Sequence, residues 1–329
     1  MSWRGRRVLV TGAGGFIGSH LVEALVEAGA AVTAFVHYRS SGSEGLLRLA
    51  GDEVRRAVQF VAGDLRDADA LTRAVRGQQV VFHLGALIAI PYSYRHPVDV
   101  TQTNVMGTLN ALIAARDAGV ERFVHTSTSE VYGSAQRVPI DESHPLAAQS
   151  PYAATKIAAD ALVTSFARSF QLPVVTVRPF NTYGPRQSAR AVIPTIAAQA
   201  LHGHEVRLGS LTPTRDLTYV TDTAAGFLAL AAADEAIGHT INLGSGREIS
   251  VGALAERIVR LSGRDVPIVT SDERKRPDAS EVTRLLSDPS LARRLTGWQT
   301  RVDLDSGLQR VIEFLRARPD WTRVDTYEV

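Results

Sequence analysis

The sequence predicts an α/β protein, a Rossmann-like doubly wound parallel sheet with a smaller interleaved C-terminal substrate lobe. Three observations predict it. Short apolar runs alternate with helical patterns through the first half. A glycine-rich turn, Thr11-Gly12-Ala13-Gly14-Gly15-Phe16-Ile17-Gly18, separates the first run from the first helix. After Arg178 that rhythm gives way to loops punctuated by Pro179, Pro185, Pro194 and Pro213.

Residues 7–10 read as a buried strand, and the glycine-rich turn leads into a helix over about 16–28 that Gly29 ends. Further strands are expected at 32–36, at 59–61 ending at Gly63-Asp64, and at 80–84, 123–126 and 174–178. Helices are expected near 68–76, 99–118 and 152–170. Strand and helix in alternation require right-handed crossovers, with ligands at the carboxyl ends of the strands. Residues 219–233 read as a return to the first lobe, 274–278 as a charged loop, and 288 onward as helical. The expected division is 1–178 plus about 215–245 for the dinucleotide, and about 179–214 and 246–329 for the substrate.

At 329 residues the chain is long enough for two joined lobes. A net charge of +2 gives no reason to expect a nucleic-acid partner. There is no cysteine, which excludes disulfides and thiol chemistry and fits a cytoplasmic setting. Val8-Leu9-Val10 stops too soon for a signal peptide, and no run reaches the ~18 apolar residues of a membrane span. His202 and His204 lack a spaced third ligand, so no metal is expected.

Gly12, Gly15 and Gly18, with Phe16 and Ile17 opening the helix, suit a pyrophosphate at a helix N-terminus. The second strand usually ends in a carboxylate that binds the ribose 2′-hydroxyl of NAD. Here Val36-His37-Tyr38-Arg39-Ser40-Ser41 follows, so His37, Arg39 and Ser40 favour NADP, with NAD as the alternative. Asp64 and Leu65 follow the third strand and are expected near adenine. Leu84, Gly85 and Ala86 end the fourth strand and are expected to flank the cofactor.

Tyr152 and Lys156 are four apart on one helix and share a face. A free tyrosine titrates at ~10. An ammonium and an oxidised nicotinamide favour the phenolate, which then takes a proton from a sugar hydroxyl. Thr128, at the end of the fifth strand, is expected to hold the same oxygen, and Asn104 to support the lysine through a water or a backbone carbonyl.

With these residues, and with Arg178-Pro179-Phe180-Asn181-Thr182-Tyr183-Gly184-Pro185-Arg186 and Arg215-Asp216-Leu217-Thr218-Tyr219-Val220-Thr221-Asp222, the chain resembles an extended short-chain dehydrogenase/reductase of the epimerase/dehydratase family acting on nucleotide sugars. Thr128-Ser129-Glu130 resembles the Thr-Ser-Glu form of sugar 4,6-dehydratases, seen in GDP-mannose 4,6-dehydratases. The segments around Tyr92-Ser93-Tyr94 and Gln187 to Pro194, including Val192, resemble dehydratases of legionaminic acid biosynthesis, which act on nucleotide-linked N-acetylglucosamine. The resemblance implies oxidation at C4, proton removal from C5 by Glu130, loss of the C6 hydroxyl and return of hydride to C6. Ser129 stands where aspartic acid otherwise protonates the leaving group. Glu130 is therefore expected to serve both steps, with a bound water as the other option. A 4-epimerase and a uronate decarboxylase are the alternatives.

The resemblance also implies that Asn181 and Arg215 face a nucleotide diphosphate and that Arg276 reaches phosphate or ribose. Arg186 is a further candidate for the diphosphate, and Tyr92 a candidate near the sugar. The helices over 99–118 and 152–170 resemble the pair that forms a four-helix dimer interface in the family, so a homodimer is expected.

Overall fold

The computed structural model describes residues 1–38, 40, 42, 44–272 and 281–321. The chain begins β1 (Arg7–Thr11), α1 (Phe16–Glu27), β2 (Ala31–His37), α2 (Asp52–Ala57), β3 (Gln59–Gly63), α3 (Ala68–Val75) and β4 (Val80–His83). It continues α4 (Ile90–Arg95), α5 (Pro97–Thr101), α6 (Gly107–Asp117), β5 (Arg122–Thr126), α7 (Pro151–Phe170), β6 (Val174–Pro179), β7 (Asn181–Tyr183), α8 (Val192–His202), β8 (Val206–Leu208), β9 (Thr214–Tyr219) and α9 (Val220–Ala232). The last elements are β10 (Thr240–Leu243), β11 (Glu248–Ser250), α10 (Val251–Ser262), β12 (Ile268–Thr270), β13 (Arg284–Leu285), α11 (Ser290–Thr296) and α12 (Leu304–Arg316).

Seven parallel strands form one sheet in the order β10-β6-β5-β4-β1-β2-β3. Its strands are apolar on both faces because both faces are covered, as a parallel sheet requires. Val8 and Val10 point to the core under α1 and α9, which holds Leu21, Phe82 and Phe227. Leu9, between them, points to the opposite core of α3, α6 and α7, with Leu71, Phe123 and Val163. The order reverses between β1 and β4, and the crevice at that switch point is where such sheets bind ligands. This is the Rossmann-like architecture expected.

The second lobe packs α8, α10 and α12 around Ile193, Ile196, Leu254, Leu308 and Ile312. Each such fully buried aliphatic side chain contributes roughly 1.5–3 kcal/mol over an exposed one. A small sheet of β11, β9 and β13, joined by β7, sits between this lobe and the cleft. β9 belongs to this sheet, and α9 follows it directly from Val220.

Two expectations change. The helix over 99–118 starts at Pro97 and is interrupted by a π turn at Gln102–Met106, which brings Asn104 inward to 1% exposure. Such turns often mark functional sites. The fourth strand stops at His83, leaving Leu84 free to leave the sheet. α7 starts as the sequence indicates: Ser150 accepts from the Ala153 N–H at 3.1 Å and Pro151 occupies the first turn.

Candidate active site

A cleft of about 880 Å³ runs along the carboxyl ends of the large sheet, between it and the second lobe. Its walls carry Gly12, Gly15, Phe16, Ile17 and Gly18 at one end and Asn181, Val192 and Arg215 at the other. Thr128, Ser129, Glu130 and Tyr152 line it between them.

The first end is built by glycine. Gly12 has φ +68°, and a Cβ there would meet the Gly85 backbone nitrogen at 2.7 Å. A Cβ on Gly18 would meet the Gly12 carbonyl oxygen at 2.2 Å. The turn therefore folds flat against the start of α1, which has no side-chain cap and no acidic residue in its first turn. Free N–H groups, a positive dipole end and an approach with no side chain in the way fit a pyrophosphate.

His37 lines the same end, as do Leu84 and Ala86. Gly85 lies just beneath, touching Leu65, which is 8% exposed and faces the core rather than the cleft. The Asp64 carboxylate is committed to Arg66, with bonds of 2.6 to 3.1 Å, and is not among the lining groups. Ser40 is exposed outside the cleft, and Arg39 lies outside the described residues. Arg48, which the sequence reading missed, lines this end and makes no hydrogen bond or ion pair among the described residues.

Thr128 ends the strand-to-turn passage after β5. Its hydroxyl accepts from the Glu130 N–H at 3.2 Å, closing a short 3₁₀ turn, Ser129–Tyr132, that carries Glu130. Burial pushes the Tyr152 phenol well above its ordinary value, and the charges of Glu130 and Asp160 add to the rise, with the Thr128 side chain working against it.

The Lys156 ammonium donates to the Thr126 carbonyl at 2.5 Å, and burial pulls its pKa down to about 8 against the opposing charge of Asp160. In the protein alone burial prevails at both groups, raising the phenol and lowering the ammonium. Asn104 accepts from the Leu87 N–H at 2.7 Å and donates to the Leu87 carbonyl at 2.9 Å and to Thr155 at 3.0 Å. It pins the loop after β4 to α7 and leaves Lys156 to Thr126.

At the far end the Asn181 Nδ2 is buried without a partner among the described residues, a donor awaiting an acceptor. The Arg215 guanidinium lines the cleft beside Glu281, at 3.4 Å. Arg186 does not face the cleft. It forks onto Glu23 of α1 at 2.7 and 2.9 Å and is 11% exposed, with its backbone at φ +70°. Burial works to raise the Glu23 carboxyl, and bonds from His20 and Arg186 outweigh it. Tyr92 likewise faces elsewhere: its hydroxyl donates to Asp99 at 2.9 Å, and its ring packs on His96. Arg276 lies outside the described residues. Arg190, Ser210, Leu217 and Ile249 complete the wall and were not singled out by sequence, since the second lobe brings them there from four separate segments. Among the described residues no group of three or more His, Asp or Glu side chains is arranged for a metal, and no helix is long and apolar enough to cross a membrane.

Comparison with known proteins bears on this geometry. The GDP-mannose 4,6 dehydratase family profile matches residues 9–311. The UDP-glucose 4-epimerase of Mycolicibacterium smegmatis is 33% identical over 94% of this chain and 98% of its own. A trifunctional UDP-glucose 4,6-dehydratase/UDP-4-keto-6-deoxy-D-glucose 3,5-epimerase/UDP-4-keto-L-rhamnose-reductase of Arabidopsis thaliana is 30% identical over 97% of this chain, which spans 49% of that longer protein. The crystal structure of DesIV, a dTDP-glucose 4,6-dehydratase from Streptomyces venezuelae with NAD bound, superposes with a TM-score of 0.85 at 32% identity, covering 96% of this chain and 98% of that one.

Proposed function

The chain belongs to the GDP-mannose 4,6-dehydratase family of extended short-chain dehydrogenase/reductases, enzymes of the NAD-dependent nucleotide-sugar dehydratase/epimerase type, and from that premise we propose that it is a nucleotide-sugar 4,6-dehydratase, a lyase. The observation that carries this reading is the position of Glu130 in the same cleft as Thr128 and Tyr152. A 4-epimerase needs only the tyrosine and threonine at C4, whereas elimination needs a carboxylate at C5.

The substrate is an NDP-hexose, of the N-acetylglucosamine type that the Tyr92 and Val192 segments suggest. Asn181 and Arg215 take its diphosphate, with Arg276 at phosphate or ribose. Tyr152 removes the C4 hydroxyl proton while Thr128 holds that oxygen. A bound nicotinamide dinucleotide supplies the hydride acceptor at C4 and the donor at C6. Glu130 takes the C5 proton, acidified by the new C4 ketone, and delivers a proton to the C6 hydroxyl as it leaves. Ser129, 3% exposed and without an acidic proton, leaves that second role to Glu130. C4 loses two hydrogens, C5 and C6 lose water, and hydride returns to C6 while a proton from solvent is added at C5, which gives a 4-keto-6-deoxy sugar.

NADP is favoured over NAD. His37 stands where a carboxylate would repel a 2′-phosphate, and Arg48 lines the same cleft. The chain forms a homodimer through the α5–α6 rod and α7. Val98, Met106 and Ile113 are exposed at 66%, 46% and 36% along the first, and Ala154, Ala161 and Ser165 are exposed on the second, where small residues allow close approach. A particle of one chain's mass by light scattering at micromolar concentration refutes the dimer.

The epimerase is the second reading, because the mycobacterial relative is as similar as the dehydratases. Mass spectrometry after incubation with UDP-, GDP-, dTDP- and CDP-linked hexoses separates them. Loss of one water supports the dehydratase. An isomer of unchanged mass supports the epimerase, and loss of carbon dioxide from a glucuronate supports a decarboxylase.

A further inference from the structure

Behind the cleft lies a chain of buried polar groups that the reaction scheme above does not use. The Asp160 carboxylate, one helical turn beyond Lys156 on α7, is 6% exposed. It bonds His125 Nε2 at 3.1 Å and accepts from Ser127 Oγ at 2.8 Å and from the Arg178 guanidinium at 2.9 and 3.3 Å. One carboxylate thus ties α7 to β5, to the residue between Thr126 and Thr128, and to β6.

The chain continues from Arg178. Its Nη1 donates to the Tyr132 hydroxyl at 2.9 Å, and its plane lies 4.9 Å from the centre of the Tyr132 ring. The Tyr132 hydroxyl in turn donates to Asn242 Oδ1 at 2.8 Å. Asn242 is anchored by its Nδ2, which donates to the Ile140 carbonyl at 3.1 Å, and by its N–H, which donates to Glu142 at 2.9 Å. Tyr132, Asn242 and His125 are fully buried and Arg178 is 5% exposed.

Tyr132 closes the same 3₁₀ turn that bears Ser129 and Glu130. The two halves of the site sit on different elements, Tyr152 and Lys156 on α7 and Thr128 with Glu130 on this turn. The turn is four residues long, too short to hold its own orientation. A buried ion pair extended by neutral hydrogen bonds is costly to assemble and costly to leave incomplete, so every member is held to one geometry.

We propose that Asp160, Arg178 and Tyr132 are positioning residues that hold the Glu130 turn in register with the Tyr152 helix. The kinetic arm of its test rests on the dehydratase reading, and the exchange arm does not. Tyr132 acts only through the turn, so its loss weakens proton removal at C5 more than oxidation at C4.

Tyr132→Phe removes one hydroxyl and keeps the ring. Amide hydrogen exchange read by mass spectrometry should quicken by about tenfold in peptides covering 128–133 and stay unchanged in peptides covering 152–160. Water loss should fall about tenfold, while the single-turnover rise in reduced-nicotinamide absorbance stays within about twofold. Ile140→Val thins the apolar cluster around the same ring without removing a hydrogen bond. It should lower the melting temperature and leave the ratio of the two rates unchanged. If Tyr132→Phe does not fold, Asn242→Ala, which removes the outer acceptor of the hydroxyl, carries the same comparison with a smaller expected loss of about threefold. Equal loss of both rates, or unchanged exchange in 128–133, overturns the proposal. Wild-type protein that never releases water, with exchange in the variant quickened as expected, overturns the dehydratase reading and supports the positioning network.

Discussion

Lys156 donates to the carbonyl of Thr126, two residues before Thr128, whose side chain works against the burial that raises the Tyr152 phenol. The end of β5 thus holds the lysine through its backbone, and the turn that follows carries the side chain that acts on the tyrosine.

That arrangement costs stability. Lys156 is fully buried and titrates at about 8, against an ordinary 10.5. Between those values the unfolded chain binds a proton that the folded chain does not, so stability rises with pH across that window and the penalty is complete below it. At ~1.4 kcal/mol for each pH unit the penalty is about 3 kcal/mol. Lys156→Met should abolish activity and stabilise the fold by roughly 1–3 kcal/mol at pH 7 in urea denaturation, the gain shrinking toward pH 10. A destabilised Lys156→Met protein contradicts this account of the lysine.

Thr128→Val removes the hydroxyl that works against the rise of the Tyr152 phenol. The phenol should then titrate higher, and the rising limb of kcat/KM against pH should move to higher pH. The loss in kcat should be roughly 10–100-fold. An unmoved limb with a reduced rate would assign Thr128 to substrate placement alone.

Arg186 is bound to α1, so Arg186→Ala should act on stability rather than on substrate. We expect a loss of roughly 1–3 kcal/mol by denaturant unfolding, because Glu23 is left half-buried with His20 alone beside it. The KM for the nucleotide sugar should stay within about threefold of wild type. A large rise in KM with unchanged stability would return Arg186 to the substrate site.

The cofactor preference is tested at Arg48. Arg48→Ala should raise the KM for NADP by roughly tenfold and leave that for NAD unchanged, as removal of a charge-assisted contact to phosphate predicts. Equal effects on both cofactors would place the 2′-phosphate elsewhere.

The parts of this molecule legible in sequence are those whose signal is local. The Gly12–Gly18 turn announces itself because backbone must pass within contact distance of backbone, which only glycine permits. Tyr152 and Lys156 share a face by helical spacing alone, and Glu130 follows Thr128 by two. The parts that were not legible depend on partners far along the chain. Arg186 is turned by Glu23, which lies 163 residues away, and Tyr92 is turned by Asp99. The Asn104 side chain reaches Leu87 because of the π turn at Gln102–Met106. Arg48, Arg190 and Ser210 converge on the cleft only because two lobes close on it. The titration of Tyr152 is set by burial, which no motif reports.

The central claim is that Glu130 removes the C5 proton of a bound hexose. Turnover of the accepted nucleotide hexose in deuterated water, read by mass spectrometry alongside nicotinamide absorbance, tests it most directly. The account predicts that wild-type protein releases water and leaves solvent deuterium at C5, whereas Glu130→Gln reduces the cofactor but releases no water. Dehydration by Glu130→Gln at the wild-type rate would contradict it.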